Sequence, residues 1–407
     1  MNKKLNLCFN RSLSLATILG ITITLFYCDT LFARPSVSNI PNMSWEDIQG
    51  IRGLLGSRQF QKLETYYTQL QNQYEKEGSI NDLQLIILYQ PFRNTNPAMK
   101  PLLTDWVAQF PKSYPARLAR GIYYLSVGHD KRGSKWASKT PQANFAQLNK
   151  YLDLATDDLL ASRSLTAMPI ASIFYLIDAT HYRDGDVGNR YWIEEANRID
   201  PGNFSPRRNY MSTLTPRWGG SYEEMYAYLQ ECRFQQIPPE HIRNLEAIIH
   251  NDIANMHRHD HKPVEAYTHY RQALMLLTGI ETAETTEALR GLIYSALESN
   301  TLDRVSDEMD RYLHIVPEDP QILSYRGWLR ENSGKLAEAM RDYKEAALQG
   351  DAWSQFQIAQ ILLYHKPLAT EETRSEGLTW LKRSAKQGYE PAQKSLQRIE
   401  QGLPRSQ

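Results

Sequence analysis

From about residue 44 onward, apolar side chains recur at the three- and four-residue spacing of amphipathic helices. No stretch keeps the two-residue alternation of a half-buried strand. Clusters of Gly, Pro, Asp and Asn punctuate the apolar runs. The pattern predicts helices near 44–56, 58–77, 81–90, 97–109, 113–127, 142–162, 169–183, 187–199 and 221–235. It continues with helices near 239–257, 262–277, 283–299, 302–315, 319–332, 335–348, 351–364, 371–387 and 389–401. Short connections make consecutive helices antiparallel neighbours, so the building unit is a helical hairpin and the fold class is all-α.

The hairpins repeat. Ala347-Leu348-Gln349-Gly350 returns as Ala385-Lys386-Gln387-Gly388, and Gln355 returns as Gln393, each match 38 residues apart. Ala266, Tyr270 and Ala273 return as Ala339, Tyr343 and Ala346, and Met309, Tyr312 and Pro317 fill the equivalent places between them. A small residue at Ala266 or Ala339 lets one helix approach the other closely. The aromatic ring one turn on fills space toward the next hairpin, and Pro317 ends its unit because it cannot extend a helix.

This pattern resembles the tetratricopeptide repeat over 241–349, grading into its Sel-one-like relative over 335–401. The resemblance implies a right-handed superhelical solenoid of antiparallel helix hairpins, each sealing the apolar face of its neighbour. Upstream, Trp106 to Pro111 and Ala196 to Pro201 close helices in a similar way. Together Trp106, Pro111, Ser113, Arg132-Gly133 and Pro216-Arg217-Trp218-Gly219-Gly220-Ser221 resemble a bacterial domain-of-unknown-function family. That likeness covers about residues 50–240, within a helical domain expected over 34–240, and implies a helical, repeat-related fold with no assigned activity.

Residues 1–33 interrupt this picture. Lys3, Lys4 and Arg11 precede an apolar stretch from Leu13 to Phe26, too short for a membrane span of about 20 residues but fitting an export signal. Cleavage is expected after Ala33, giving a periplasmic or secreted protein. An uncleaved anchor, or lipidation at Cys28, would instead hold the chain at a membrane. Only Cys232 of the three cysteines survives cleavage, so the mature chain forms no internal disulfide.

Charge narrows the partner. The chain has 46 basic and 46 acidic residues; the leader removes three bases and one acid, leaving 43 and 45. Nucleic-acid binding needs clustered positive charge, so no nucleic-acid partner is expected. The one basic cluster, Lys131, Arg132, Lys135 and Lys139 around Trp136, reads as a solvated loop or a grip on an acidic partner.

No Gly-rich phosphate loop, His-Glu-x-x-His pair or Gly-x-Ser-x-Gly elbow occurs, and the chain is read as a non-enzyme without a cofactor. Its expected role is to hold a peptide or helix of a protein partner in the solenoid groove. Arg326, Arg330, Gln357 and Gln360 are candidate contacts from repeat phase, and Trp218, beside two glycines, is a candidate anchor. In a second reading, Ser221 and Glu224 cap the following helix and Trp218 packs over the turn. The alternative function is metal binding or pH sensing by His257, His259 and His261, whose imidazoles suit Zn, Cu or Ni. Alternate residues project together only in an extended segment. On a helix they diverge by about 200°.

Overall fold

The computed structural model describes residues 43–135, 139–182, 185–365 and 368–402. The expected leader, Cys28 and Trp136 lie outside them. The described residues contain 19 α-helices and no strand. They are α1 Trp45–Gly56, α2 Phe60–Asn72, α3 Asp82–Leu88, α4 Met99–Gln109, α5 Tyr114–Arg132, α6 Gln142–Arg163, α7 Ile170–His181, α8 Gly185–Ile199, α9 Ser205–Thr213 and α10 Tyr222–Phe234. There follow α11 Pro239–His259, α12 Pro263–Leu276, α13 Ala283–Glu298, α14 Ser306–Ile315, α15 Pro320–Asn332, α16 Leu336–Leu348, α17 Ala352–Tyr364, α18 Glu371–Lys386 and α19 Glu390–Glu400. Chain neighbours pack in pairs, most extensively α5 with α6, α7 with α8, α12 with α13, α15 with α16 and α17 with α18. The chain divides into two compact units. Of the described residues, one unit holds those through Ile249 with Gly279–Thr282, and the other holds His250–Thr278 and those from Ala283 onward.

Local capping marks several helix starts. The side chains of Ser44, Asn81, Ser113, Asp319, Asp351 and Thr370 each accept a backbone N–H in the first turn that follows. One helix escapes the sequence pattern. In α9 the buried positions are Ser205, Pro206, Arg207, Tyr210 and Met211, an inventory that reads as polar. Its cap is also remote: Phe204 and Ser205 donate their N–H groups to Asp82 Oδ2, at 2.8 and 2.5 Å. A carboxylate over 120 residues upstream closes this helix, so no local reading finds it.

Arg207 is 1% exposed. It donates to the carbonyls of Asn203 and Pro201 and to Gln235 Oε1. Beside it Cys232 is buried. His241 packs on Phe204 with ring centres 4.6 Å apart. Burial, then the charge of Arg207, depresses the His241 imidazole from 6.5 to about 4. The folded chain thus keeps His241 neutral where the unfolded chain takes up a proton. Its contribution to stability is complete above pH 6.5 and is lost as pH falls toward 4. Urea midpoints of the wild type should drop more steeply across that window than those of His241→Gln; parallel slopes would refute the assignment.

In the second unit the repeat is visible as repeated contacts. Gln355 Nε2 donates to the Ala347 carbonyl at 3.0 Å, and 38 residues on Gln393 Nε2 donates to the Ala385 carbonyl at 3.2 Å. Tyr270 of α12 lays its ring on Gly291 of α13, in the next hairpin, as expected. Tyr343 differs: its ring lies on Gly327, inside its own hairpin, and its edge meets Trp353 of the next at 5.6 Å.

Candidate partner-binding groove

The first helices of successive hairpins, α13, α15 and α17, share one face of the second unit. Because α15 brings Tyr325, Trp328 and Leu329 to that face, they line a cavity of about 570 Å³ with Leu297, Leu302 and Trp353. Trp328 is 40% exposed. Asn300, Asp303, Asn332 and Ser333 complete the lining with polar groups. An apolar floor with a few polar groups at its edge is the usual make-up of a recognition site.

The expected contacts fall unevenly around this face. Arg326 is committed within the protein: it makes a two-pronged pair with Asp342, at 3.0 and 2.7 Å, and reaches Asp310 at 2.7 Å. Arg330 joins the same network through Asp342 at 2.8 Å and Asp310 at 3.4 Å. Asp342 sits on α16 and is buried; a partner across the hairpin is invisible to repeat phase. Gln357 and Gln360 are half-buried on α17. They stand one and two turns beyond Trp353, so they extend the face that it begins.

Trp218 is elsewhere, in the first unit, and packs inward. Its ring meets His181 at 5.2 Å and Tyr182 at 5.6 Å, both edge-on. The guanidiniums of Arg132 and Arg217 lie 5.5 and 5.2 Å from its centre. Arg132 is buried, not part of a solvated basic loop, and also faces the rings of Phe145 and Tyr182 at 5.8 and 5.9 Å. Both glycines after Trp218 are required by the backbone. Gly219 has φ +96°, and a Cβ on Gly220 would stand 2.2 Å from the Leu214 carbonyl oxygen. Ser221 caps α10, accepting the Glu224 N–H at 3.2 Å. The turn is thus a staple that fixes the C-terminal ends of α5 and α7.

Trp106 and Ser113 serve a similar internal purpose. Trp106 Nε1 and Ser113 Oγ donate to the same Glu64 oxygen at 2.6 and 2.5 Å. Burial raises the Glu64 carboxyl against the lowering effect of those two bonds. Sequence reading noticed these residues but had no means of pairing them with Glu64, 42 positions away.

Among the histidines, residues 257 and 259 are the last turn of α11, so the extended geometry that would group His257, His259 and His261 does not form. His257 instead stacks on His269, with ring centres 5.5 Å apart. His259 and His261 lie at the exposed helix end. Among the described residues no three His, Cys, Asp or Glu side chains are grouped to hold a metal. His250 completes a different set: its Nδ1 stands 3.2 Å from Nδ1 of His269.

A search of curated proteins finds no match to the chain. The solved structures that resemble it include three at 12% identity. The APC/C hetero-tetramer Cut9-Hcn1 matches over 81% of this chain and 55% of that one, with TM-score 0.34. The human IFIT1 dimer with m7Gppp-AAAA matches over 81% and 77%, with TM-score 0.35. The P58(IPK) TPR domain matches over 85% and 99%, with TM-score 0.27. Residues 47–184 and 181–250, together half of the chain, match the family described as Domain of unknown function (DUF4034), and the chain belongs to that family.

Proposed function

We propose that the chain is a non-enzymatic scaffold that holds a peptide or helix of a protein partner against the face formed by α13, α15 and α17. The supporting observation is the groove around Trp328, an exposed indole set among Leu297, Tyr325 and Trp353 on three successive hairpins. A bulky apolar side chain of the partner would fill it, with Asn332 and Ser333 bonding the backbone beside that anchor. Aromatic residues at such positions carry much of the affinity of protein interfaces. Arg326 and Arg330 act in this reading as rigid struts that hold α15 and α16, not as contacts.

Peptides selected from a displayed random library on the wild type should lose at least tenfold in affinity for Trp328→Ala. They should keep it for Trp45→Ala, a change at an indole 70% exposed in the other unit. Failure to enrich any peptide, or equal binding by Trp328→Ala, would overturn the groove. We further propose export through the leader at 1–33. The mature protein should then begin at Arg34, by N-terminal sequencing; recovery of an intact Met1 terminus in the membrane fraction would favour an anchored form.

A further inference from the structure

We propose that His250 and His269 form a two-imidazole site for a divalent transition metal ion, independent of the groove. The two rings come from antiparallel helices, α11 and α12, and their centres are 5.4 Å apart. Their Nδ1 atoms are 3.2 Å apart. The difference between these distances is about twice the centre-to-nitrogen radius of an imidazole, so the two nitrogens point at each other nearly head-on. Two neutral imidazoles cannot face lone pair to lone pair at this distance. Either a proton or a metal ion must lie between them.

The gap suits a metal. Two nitrogens 3.2 Å apart, each at the ~2.0–2.1 Å of a Zn–N bond, subtend about 100° at the ion, close to a tetrahedral angle. To aim its lone pair at that point, each ring must turn by about 40° from the head-on arrangement, a rotation that helix-borne side chains reach through their χ angles. The site is placed to be reached, since both histidines are half-buried rather than enclosed. His257 stacks beyond His269 at 5.5 Å and is not assigned as a ligand. Among the described residues the pair belongs to no group of three His, Cys, Asp or Glu ligands, so the two imidazoles are the protein donors and water would complete the coordination shell of an exchangeable ion. Imidazole donors accept Cu, Ni and Zn, and Cu(II) should bind most tightly.

The test uses the full untagged protein, stripped of metal by chelator dialysis, because a polyhistidine tag would mask the site. Calorimetric titration with Cu(II) and with Zn(II) should show one equivalent bound, with Cu(II) the tighter. Electron paramagnetic resonance of the copper form should show coupling to two imidazole nitrogens. His250→Gln and His269→Gln should each weaken binding at least tenfold, while His259→Gln and His261→Gln should behave as wild type. Circular dichroism confirms that each variant is folded, and the wild-type spectrum stands whether or not a variant folds. The proposal fails if the wild type shows no saturable binding, which would leave a shared proton as the occupant of the gap. It fails equally if His250→Gln and His269→Gln bind as wild type, or if the turn variants lose the metal.

Discussion

Replacing Trp106 by alanine is expected to cost about 3–5 kcal/mol, the range for removing a large aromatic side chain from a core. Trp106 is fully buried, and its ring lies among those of Phe60, Tyr67 and Phe92 at 6.5, 6.4 and 5.8 Å. Alanine would leave a cavity bounded by rings that are themselves fixed; Tyr67, for one, is anchored through its hydroxyl to the Leu88 carbonyl at 3.0 Å. It would also strip one donor from Glu64, a carboxylate already disfavoured by burial. The two contributions can be separated. Trp106→Phe keeps most of the packing but removes one of the two donors to the carboxylate, leaving Ser113, so its loss should fall between wild type and alanine, nearer about 1–3 kcal/mol. Urea unfolding followed by circular dichroism reads both. A loss under about 1 kcal/mol for Trp106→Ala would mean that the aromatic cluster is not a packed core.

How much of this fold the sequence carried depends on where each instruction is written. Helices with a local side-chain cap, such as those after Ser113, Asp319 and Asp351, start about where the sequence pattern places them. The repeat is legible too, because the small-aromatic-small spacing is itself the packing rule. Helix α5 runs on to Arg132, beyond the predicted end near 127. Gly128, which reads as a breaker, is buried against Leu148 and Tyr151 of α6, where a larger side chain would crowd them. The missed helix α9 fails the pattern for a related reason. It buries an arginine and borrows its cap from Asp82, and both facts exist only in three dimensions.

The site was less legible than the fold. Repeat phase directs attention to the first helices of the hairpins and nominates the arginines, which the structure commits to Asp310 and Asp342. The aromatic side chains that line the groove, Tyr325, Trp328 and Trp353, were present in the sequence but indistinguishable from core aromatics. Exposure separates Trp328 from Trp106, and exposure is not a local property. The histidine cluster shows the same limit: composition points to residues 257–261, while the facing pair His250 and His269 is assembled across two helices.

The closest approach between hairpins predicts the other large effect. Adding a methyl group at Gly291 should destabilise the second unit by about 3 kcal/mol, the upper part of the usual range for overpacking. The new Cβ would stand 2.1 Å from Tyr270 Cζ and within 2.6 Å of two further ring atoms. The ring has nowhere to go, because it is fully buried and its hydroxyl donates to Asn255 Oδ1 at 2.6 Å. Opposing this clash is helix propensity, which favours alanine over glycine by about 1 kcal/mol. At Gly53, in α1, a Cβ would meet nothing within 4 Å, so propensity acts alone and Gly53→Ala should stabilise. Gly327 lies between, since its nearest contact with Tyr343 is 2.7 Å. The predicted order of loss is therefore Gly291, then Gly327, with Gly53 of opposite sign. If the clash with Tyr270 is the cause, removing that ring must relieve it. In a Tyr270→Leu background, Gly291→Ala should lose most of its effect, and a penalty that simply adds to that of Tyr270→Leu would show that the two hairpins are not held at this contact.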